Sequence, residues 1–216
     1  MAQNGQGTLI IACGALAREL AALRRANRWD ELDVRCLPPE LHNRPSQIPG
    51  AVRALIRACR DRYRTIFVAY GDCGTGGQLD RVLREEGVLR IPGAHCYEFF
   101  ATPAVFAELG ESELGTFYLT DFLLRHFDRL VIAGLGLDRH PELFSTYFGH
   151  YRKLVYLAQA PAADAVERGR AIAARMGLAY EARSTGYGAL ATSLAAAVNR
   201  AEAAAEPAGG SAVWLP

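Results

Sequence analysis

Three cysteines and one histidine have the residue types and the positions of metal ligands. Cys13, Cys73 and Cys96 each stand at or just beyond the end of a short apolar segment, and His95 precedes Cys96. Zinc is commonly bound by thiolate and imidazole groups, and three thiolates can also hold an iron–sulfur cluster with one position open. Soft sulfur ligands disfavour magnesium and calcium. We therefore predict a zinc or iron–sulfur site formed by these four residues.

The same cysteines are compatible with two other interpretations. They are far apart in the chain and form no C-x-x-C pair, and free cysteine is a common small buried residue. Cys73 is followed by a predicted helix, whose amide dipoles would lower the pKa of a thiol and activate it as a nucleophile. A metal-free thiol enzyme that uses Cys73 is therefore an alternative to the metal site.

Cys73 lies in a glycine-rich turn, residues 70–77, with the sequence YGDCGTGG. Glycine permits positive φ, and amides in such turns can bind an approaching ligand. The turn lacks both the G-K-[ST] of a P-loop and the G-x-G-x-x-G pattern, which disfavours a nucleotide site. We predict contacts with the cofactor at the small residues of this turn and of the turn after the first apolar segment: Gly14, Gly74, Thr75, Gly76 and Gly77.

Three further residues are candidates for catalysis. Asp72 precedes Cys73 and would orient a ligand or a metal-bound group, or would only stabilise the turn. Glu98 follows His95 by three residues, one helical turn, so it would lie on the same face. His140 belongs to a turn after another apolar segment and is a candidate acid, base or ligand. Whether His95 and Glu98 bind the metal or support it stays open.

Apolar segments and amphipathic segments alternate along the chain, which predicts an α/β fold. We expect a single domain with a mostly parallel sheet of about five to seven strands flanked by helices, a Rossmann-like three-layer arrangement. Ligands of such sheets bind at the carboxyl ends of the strands, which is where the cysteines would meet. Residues 115–127 are predicted to be helical, and strands are predicted at residues 8–12, 32–37, 65–69, 88–91, 129–133, 153–158 and 178–182.

Composition limits the partners and the compartment. The 216 residues carry a formal net charge of +1 and no basic stripe, which disfavours nucleic acid. We find neither an apolar stretch of membrane-spanning length nor a signal peptide, and the five cysteines fit a reducing compartment. We expect a cytoplasmic protein that acts on a small molecule, with a domain at residues 1–205 and a tail at 206–216. Its oligomeric state is open.

The chain resembles an uncharacterised bacterial and archaeal family of domains of unknown function. The resemblance spans residues 9–188 and is carried by IACGAL, LHNRP, YGDCGTGG, HCYEFF and GLGLDRHPEL, which begin at residues 11, 41, 70, 95 and 134. It implies an association with corrinoid-dependent methyl-transfer systems that demethylate methylamines or betaines. A corrinoid protein or a methyltransferase would then be a partner.

These observations lead to one main hypothesis and a second of a different class. The main hypothesis is a metalloprotein of one-carbon metabolism that acts in corrinoid-linked methyl transfer, either as the enzyme or as its activation partner. The second is a non-catalytic accessory protein that would hold a corrinoid or a methyltransferase subunit through the aromatic stretches at residues 97–106 and 117–127. The substrate and the identity of the metal stay open.

Overall fold

The computed structural model describes residues 7–203, without the side chains at positions 103, 112 and 201–203. It confirms an α/β architecture with parallel strands flanked by helices in a Rossmann-like arrangement. The strands of the described part do not form one sheet, however. They are divided between a sheet of four strands and a sheet of three, which we call the first sheet and the second sheet.

The first sheet contains β1 (Thr8–Cys13), β2 (Leu32–Leu37), β3 (Thr65–Ala69) and β4 (Leu89–Arg90), in the order β2-β1-β3-β4. All pairs are parallel, and Ile10 of β1 lies opposite Val34 on one side and Phe67 on the other. Every residue of β1 is buried, as expected for a central strand covered on both faces. The crossovers contain α1 (Ala17–Asn27), α2 (Ile48–Cys59) and α3 (Gln78–Glu86).

The second sheet contains β5 (Thr116–Thr120), β6 (Lys153–Ala158) and β7 (Ala179–Ser184), parallel and in that order. The connection from β5 to β6 contains α6 (Asp121–Phe127) and α7 (Phe144–Phe148), and the connection from β6 to β7 contains α8 (Ala165–Met176). β6 is the central strand, and five of its six residues are buried.

Helices join the two sheets in both directions along the chain. The chain passes from the first sheet to the second through α4 (Cys96–Ala101) and α5 (Pro103–Ser112), and it returns through α9 (Gly188–Ala203). α9 packs against α4 and contributes Leu190 and Leu194 to the core of the first sheet. The second sheet has a separate core that includes Leu119 and Tyr156. The prediction of a single domain remains a prediction.

The prediction of a helix over residues 115–127 is wrong in its first half. Residues Thr116–Thr120 form β5, and α6 begins at Asp121. A short apolar run has no decisive periodicity, so pairing with a neighbouring strand determines its conformation. Here the whole of β5 pairs with β6, from Thr116 opposite Lys153 to Thr120 opposite Leu157. The N-cap of α6 is Thr120, whose hydroxyl accepts a hydrogen bond from the amide of Leu123 at 3.3 Å.

The predicted strand at residues 129–133 is also wrong. Asp128–Ala133 is a π-helical segment that continues from α6 after a kink at His126. Val131 packs into the core of the second sheet, and the carbonyl of Leu130 accepts a hydrogen bond from the Asn43 side chain at 3.2 Å. The apolar residues of this segment are buried, as their pattern indicates. Over five residues, however, a buried side of a helix and a buried strand give the same sequence pattern.

The remaining boundaries differ only at the ends of elements. The predicted helix at residues 187–205 is observed as α9 up to Ala203, and the tail at 206–216 lies outside the described residues. β4 is reduced to two residues, because the chain turns away after Arg90. No helix within residues 7–203 combines the length and the apolar character needed to cross a bilayer.

Replacing a core residue of α9 tests whether this helix completes the first sheet. Leu194 is fully buried, so Leu194→Ala should lower the free energy of unfolding by about 2–5 kcal/mol through lost transfer energy and a cavity. Urea denaturation followed by circular dichroism measures this change. Asn199→Ala, at an exposed position of the same helix, is the control. Equal stability of the two variants would contradict the docking of α9.

Candidate functional site

A cavity of 390 Å³ lies where the turns after the first-sheet strands face the second sheet. The first-sheet side supplies polar and sulfur-containing groups, and the second-sheet side is mostly apolar. The lining residues are Ala15, Pro39, His42, Asn43, Cys73, His95, Cys96, Tyr97, Phe117, Thr120, Phe122, Leu123, Leu130, Val131, Leu135, Phe148 and Tyr151. A cavity at the carboxyl edge of a parallel sheet is the expected ligand site of this fold class.

The structure brings the three predicted thiols into one region, although they do not all reach the cavity. Cys73 and Cys96 line it, together with His95. Cys13 is buried behind the wall, with its Sγ atom 3.6 Å from Nδ1 of His42. The thiols are near enough to raise one another's pKa electrostatically. The sequence-based grouping of Cys13, Cys73 and Cys96 therefore corresponds to a neighbourhood in the structure.

Backbone hydrogen bonds hold the turn of Cys73 against the loop that carries Cys96. The Cys73 amide donates to the carbonyl of Ala94 at 2.8 Å, and the Asp72 amide donates to that of Gly93 at 3.0 Å. Cys73 adopts a φ of 50°, which is uncommon for a residue with a side chain. The turn must therefore be held by its surroundings, and these two hydrogen bonds supply the restraint.

Arg90 positions the other half of this contact. Its guanidinium forms a two-point ion pair with Asp80 at 2.6 and 2.9 Å. It also donates to the carbonyl of Ile91 at 2.7 Å and to that of Gly93 at 3.1 Å. The planar fork of arginine suits such simultaneous contacts. Arg90 thus fixes the loop that accepts hydrogen bonds from the turn of Cys73.

His42 is the residue of the site that the sequence reasoning did not select. It lines the cavity, its ring stacks on that of Tyr70, and its Nδ1 atom is 3.2 Å from the carbonyl of Pro39. Its Nε2 atom is buried and has no hydrogen-bond partner in the described part of the chain. The sequence did contain a signal for it, because His42 belongs to the LHNRP segment that carries part of the family resemblance.

Burial keeps the thiols of the site protonated. It raises the pKa of Cys13 to about 12, against a hydrogen bond from the Ala15 amide that lowers it. Burial also raises the pKa of Cys73, although amides of the turn and of Cys96 oppose the effect. The pKa of Cys96 lies well above its ordinary value for the same reason, reinforced by Cys73 and Cys13. Burial lowers the pKa of His42, so this ring is poorly suited to stabilise a thiolate as an imidazolium.

The opposite wall of the cavity is aromatic. Phe117 is at its centre and makes edge-to-face contacts with Phe148 at 5.7 Å and with Tyr151 at 5.6 Å between ring centroids. Tyr97 comes from α4 and contacts Tyr118 of β5 at 5.5 Å. Because α4 belongs to the first-sheet side, this pair joins the two sides of the cavity. The wall can accommodate an apolar group or a cation that binds to aromatic faces.

In the glycine turn, the amides of Thr75, Gly76 and Gly77 form hydrogen bonds within the turn itself. The Asp72 carboxylate accepts hydrogen bonds from the Gly77 amide at 2.8 Å and the Gly76 amide at 3.0 Å, and from the Thr75 hydroxyl at 2.6 Å. None of these three donors lines the cavity. Asp72 therefore has the structural role in the turn that the sequence left as one of two possibilities.

The other two glycines predicted to contact a cofactor lie against neighbouring segments, tightly at Gly14 and at an ordinary contact distance at Gly74. A Cβ atom on Gly14 would lie 3.0 Å from the carbonyl oxygen of Leu37, and one on Gly74 would lie 3.6 Å from Pro45. Neither residue lines the cavity. Gly74 has a φ of 81°, so the turn requires a glycine at that position.

The candidate catalytic residues Glu98 and His140 are placed differently from the prediction. The Glu98 carboxylate accepts a hydrogen bond from the Ala94 amide at 2.8 Å, just before the start of α4, so it stabilises the helix terminus. His140 is exposed, pairs with Glu142 at 3.3 Å and does not line the cavity. Within residues 7–203, no group of three or more histidine, cysteine, aspartate or glutamate side chains has an arrangement that could hold a metal ion.

The family of the chain follows from a comparison with family models. The model described as "Protein of unknown function (DUF1638)" matches residues 36–194, which is most of the chain. The chain belongs to this family. The DUF1638 region contains His42, Cys73 and Cys96, whereas Cys13 precedes it. No curated protein and no solved structure matches the chain.

The hydrogen bonds to Asp72 predict a pH-dependent loss of stability in Asp72→Ala. Burial disfavours its charge, but the three hydrogen bonds outweigh that effect and lower its pKa below the ordinary 3.8. The carboxylate therefore stabilises the fold above that pH, and this contribution disappears as pH falls through the lower pKa of the folded state. At pH 7 we expect a loss of about 1–2 kcal/mol, near the low end because Asp72 is partly exposed.

Urea denaturation at neutral pH and at about pH 3 measures this difference. The stability difference between wild type and Asp72→Ala should be smaller at about pH 3 than at neutral pH, because part of the stabilisation by the carboxylate is already lost at the lower pH. Asp138→Ala is the control, because the Asp138 side chain is half exposed and its ion pair with Arg139 spans 3.9 Å. If Asp72→Ala costs no more stability than Asp138→Ala at neutral pH, the turn does not depend on this carboxylate.

Proposed function

We propose that the cavity is a metal centre that holds an iron–sulfur cluster on the thiolates of Cys73 and Cys96 in its wall, with Cys13, directly behind the wall, as the third thiolate ligand. The observation that carries the proposal is the buried Nε2 atom of His42, which has no partner in a wall that also contains two cysteines. Buried polar atoms nearly always have a hydrogen-bond partner, so an unpaired one points to a missing ligand. We assign His42 to the same centre. His95, whose side chain is exposed, remains a candidate ligand.

The contacts of the His42 ring agree with a metal-binding role. Nδ1 is within hydrogen-bond distance of the Pro39 carbonyl, which can only accept, so the proton belongs on Nδ1. Nε2 then carries the lone pair. Histidines that bind metals commonly donate their other ring N–H to a carbonyl or carboxylate, which fixes the tautomer and the ring orientation. The second contact of Nδ1, with Cys13, connects the imidazole to the third thiol.

The volume between the candidate ligands leads us to propose a cluster rather than a single zinc ion. One ion requires its ligands to converge on one point, and the described side chains include no such group of three. A cluster places several iron and sulfide atoms between its thiolates, so the thiolates can be spread around a volume. The cavity of 390 Å³, with Cys73 and Cys96 on its wall, provides such a volume. Zinc is retained as the alternative metal.

The protonated state of the thiols weakens the alternative of a metal-free thiol enzyme. A nucleophilic cysteine requires a lowered pKa, and burial raises the pKa of Cys73. The Cys13–His42 contact is not an ion pair either, because burial raises the pKa of the first and lowers that of the second. A bound metal cation supplies the positive charge that stabilises a thiolate, and it displaces the protons of the thiols.

The reaction that we propose for the centre is methyl transfer in one-carbon metabolism, in association with a corrinoid. Its basis is the resemblance described above. An iron–sulfur cluster with an open iron supplies redox or ligand-binding chemistry. The chain's own residues would exclude water and orient a small molecule, because Phe117, Phe148 and Tyr151 form an aromatic surface opposite the thiols. Such a surface suits a methylated ammonium or a thioether.

Metal analysis of the full chain tests the proposed centre. We expect anaerobic reconstitution with iron and sulfide to give a brown protein with both elements bound and with charge-transfer absorption. The variant with serine at positions 13, 73 and 96 should lose both. His42→Ala should retain iron at least about tenfold more weakly. The matched control has serine at positions 36 and 59, because Cys36 is exposed and Cys59 is buried in α2, away from the cavity.

The outcomes separate three cases. Colourless protein with one zinc per chain that depends on the same cysteines would replace the cluster by zinc. A folded protein, judged by circular dichroism, that binds neither metal would refute the proposal. Metal binding that survives in the triple serine variant would place the metal elsewhere and would also refute it.

The corrinoid association has its own test on the metal-loaded protein. We expect the absorption bands of methylcobalamin to change upon addition of stoichiometric loaded protein, and the corrinoid to be retained in size-exclusion chromatography. Tyr97→Ala should weaken this retention, because Tyr97 belongs to the wall of the cavity. Leu114→Ala, at a fully exposed side chain, is the control. No spectral change and no retention would remove the corrinoid from the proposal and leave the metal centre standing.

A further inference from the structure

A second cavity of 180 Å³ lies at the carboxyl edge of the second sheet. Its lining includes Arg18 of α1, Asp121 and Arg125 of α6, and Arg168 of α8. The loop 160–162, just after β6, closes one side. Other residues of α6, among them Phe122 and Leu123, line the larger cavity, so this helix separates the two. The second cavity is therefore distinct from the proposed metal centre but shares a helix with it.

The only carboxylate on the wall of this cavity is already engaged by hydrogen bonds of the sheet edge. Asp121 accepts hydrogen bonds from the Tyr156 hydroxyl at 2.6 Å and from the amides of Gln159 at 3.3 Å and Ala160 at 2.8 Å. Asp121 is buried, and no arginine of the wall donates a hydrogen bond to it within the described residues. Its function is to fix the edges of β5 and β6 together.

The three arginines of the wall are only partly compensated. Nη2 of Arg125 is buried without a hydrogen-bond partner in the described chain. Arg168 donates to the Leu124 carbonyl at 3.4 Å and is 3.8 Å from Asp164, and Arg18 has no hydrogen bond or ion pair within residues 7–203. The Arg125 guanidinium is partly buried and its Nη2 atom lacks an acceptor, which is costly, and a bound anion would offset that cost.

The buried carboxyl group of Glu19 gives the arginines only partial compensation. It lies near Arg125, but its Oε2 atom has no hydrogen-bond partner within the described residues. Burial raises the pKa of Glu19, and the neighbouring Asp121 adds to that effect, while Arg125 opposes it. Glu19 therefore attracts Arg125 electrostatically but supplies no hydrogen-bond acceptor to its buried Nη2 atom within the described residues.

We propose that this second cavity binds the anionic group of a small molecule, a carboxylate or a phosphate, through Arg18, Arg125 and Arg168. Both groups match the planar fork of arginine, which can donate two parallel hydrogen bonds. A volume of 180 Å³ admits a small anionic group rather than a whole nucleotide. The carboxyl edge of the parallel strands β5 and β6 is also the expected ligand position in this sheet. The proposal does not depend on the metal centre.

Isothermal titration of the full chain with inorganic phosphate, and separately with acetate, tests the proposal in low-salt buffer. We expect saturable binding of one anion per chain, weakened at least about tenfold in Arg125→Gln and in Arg168→Gln. Arg170→Gln is the control, because Arg170 is two residues from Arg168 on α8 and lies over the Tyr180 ring outside the cavity. Binding of phosphate alone, of acetate alone or of both supports the site and identifies its ligand class.

Two results would overturn the proposal. One is the absence of saturable binding of either anion by the wild-type chain at millimolar concentrations. The other is equal weakening in the Arg170→Gln control and in the cavity variants, which would indicate attraction by general surface charge. If Arg125→Gln does not fold by circular dichroism, Arg168→Gln and Arg18→Gln decide the question, because both positions are exposed.

Discussion

The site depends on the pair of backbone hydrogen bonds that join the turn of Cys73 to the loop at residues 93–94. These bonds, at 2.8 and 3.0 Å, hold Cys73 in its positive-φ conformation and bring it next to Cys96. Two further contacts support them from either side. Asp72 organises the turn through its carboxylate, and Arg90 holds the Gly93 carbonyl that accepts one of the bonds. These polar residues thus stabilise the turn and the loop that place Cys73 and Cys96 in the wall of the cavity.

The division of the strands between two sheets produces the cavity itself. A single continuous sheet would place its neighbouring strands side by side and leave only a shallow crevice at their ends. Here the helices α4 and α9 connect the two sheets, and the carboxyl edge of the first faces the aromatic residues of the second. One wall therefore offers sulfur and imidazole, and the other offers ring faces. This asymmetry suits a centre that binds an inorganic cofactor on one side and an organic molecule on the other.

Helix α6 lies between the two cavities and contributes residues to both. Thr120, at its N-cap, and Phe122 contribute to the larger cavity, and Asp121 and Arg125 contribute to the smaller one. Asp121 fastens the ends of β5 and β6 through the Tyr156 hydroxyl and two amides, which makes the start of α6 rigid. A ligand in either cavity would contact the same short helix. The kink at His126 and the π-helical segment that follows end this rigid part.

The sequence by itself determined the α/β class, because buried parallel strands are continuous apolar runs such as residues 8–12, and strands and helices alternate between them. It also determined that Cys13, Cys73 and Cys96 would come together, since each follows or lies near the end of a strand of the same sheet. Only the tertiary structure decided that residues 116–120 form a strand and 128–133 a π-helix, because pairing partners far along the chain select between conformations of short apolar runs. Only the tertiary structure also shows that Asp72 stabilises the turn and that His42 lines the cavity, because hydrogen-bond partners and burial depend on how the folded chain packs.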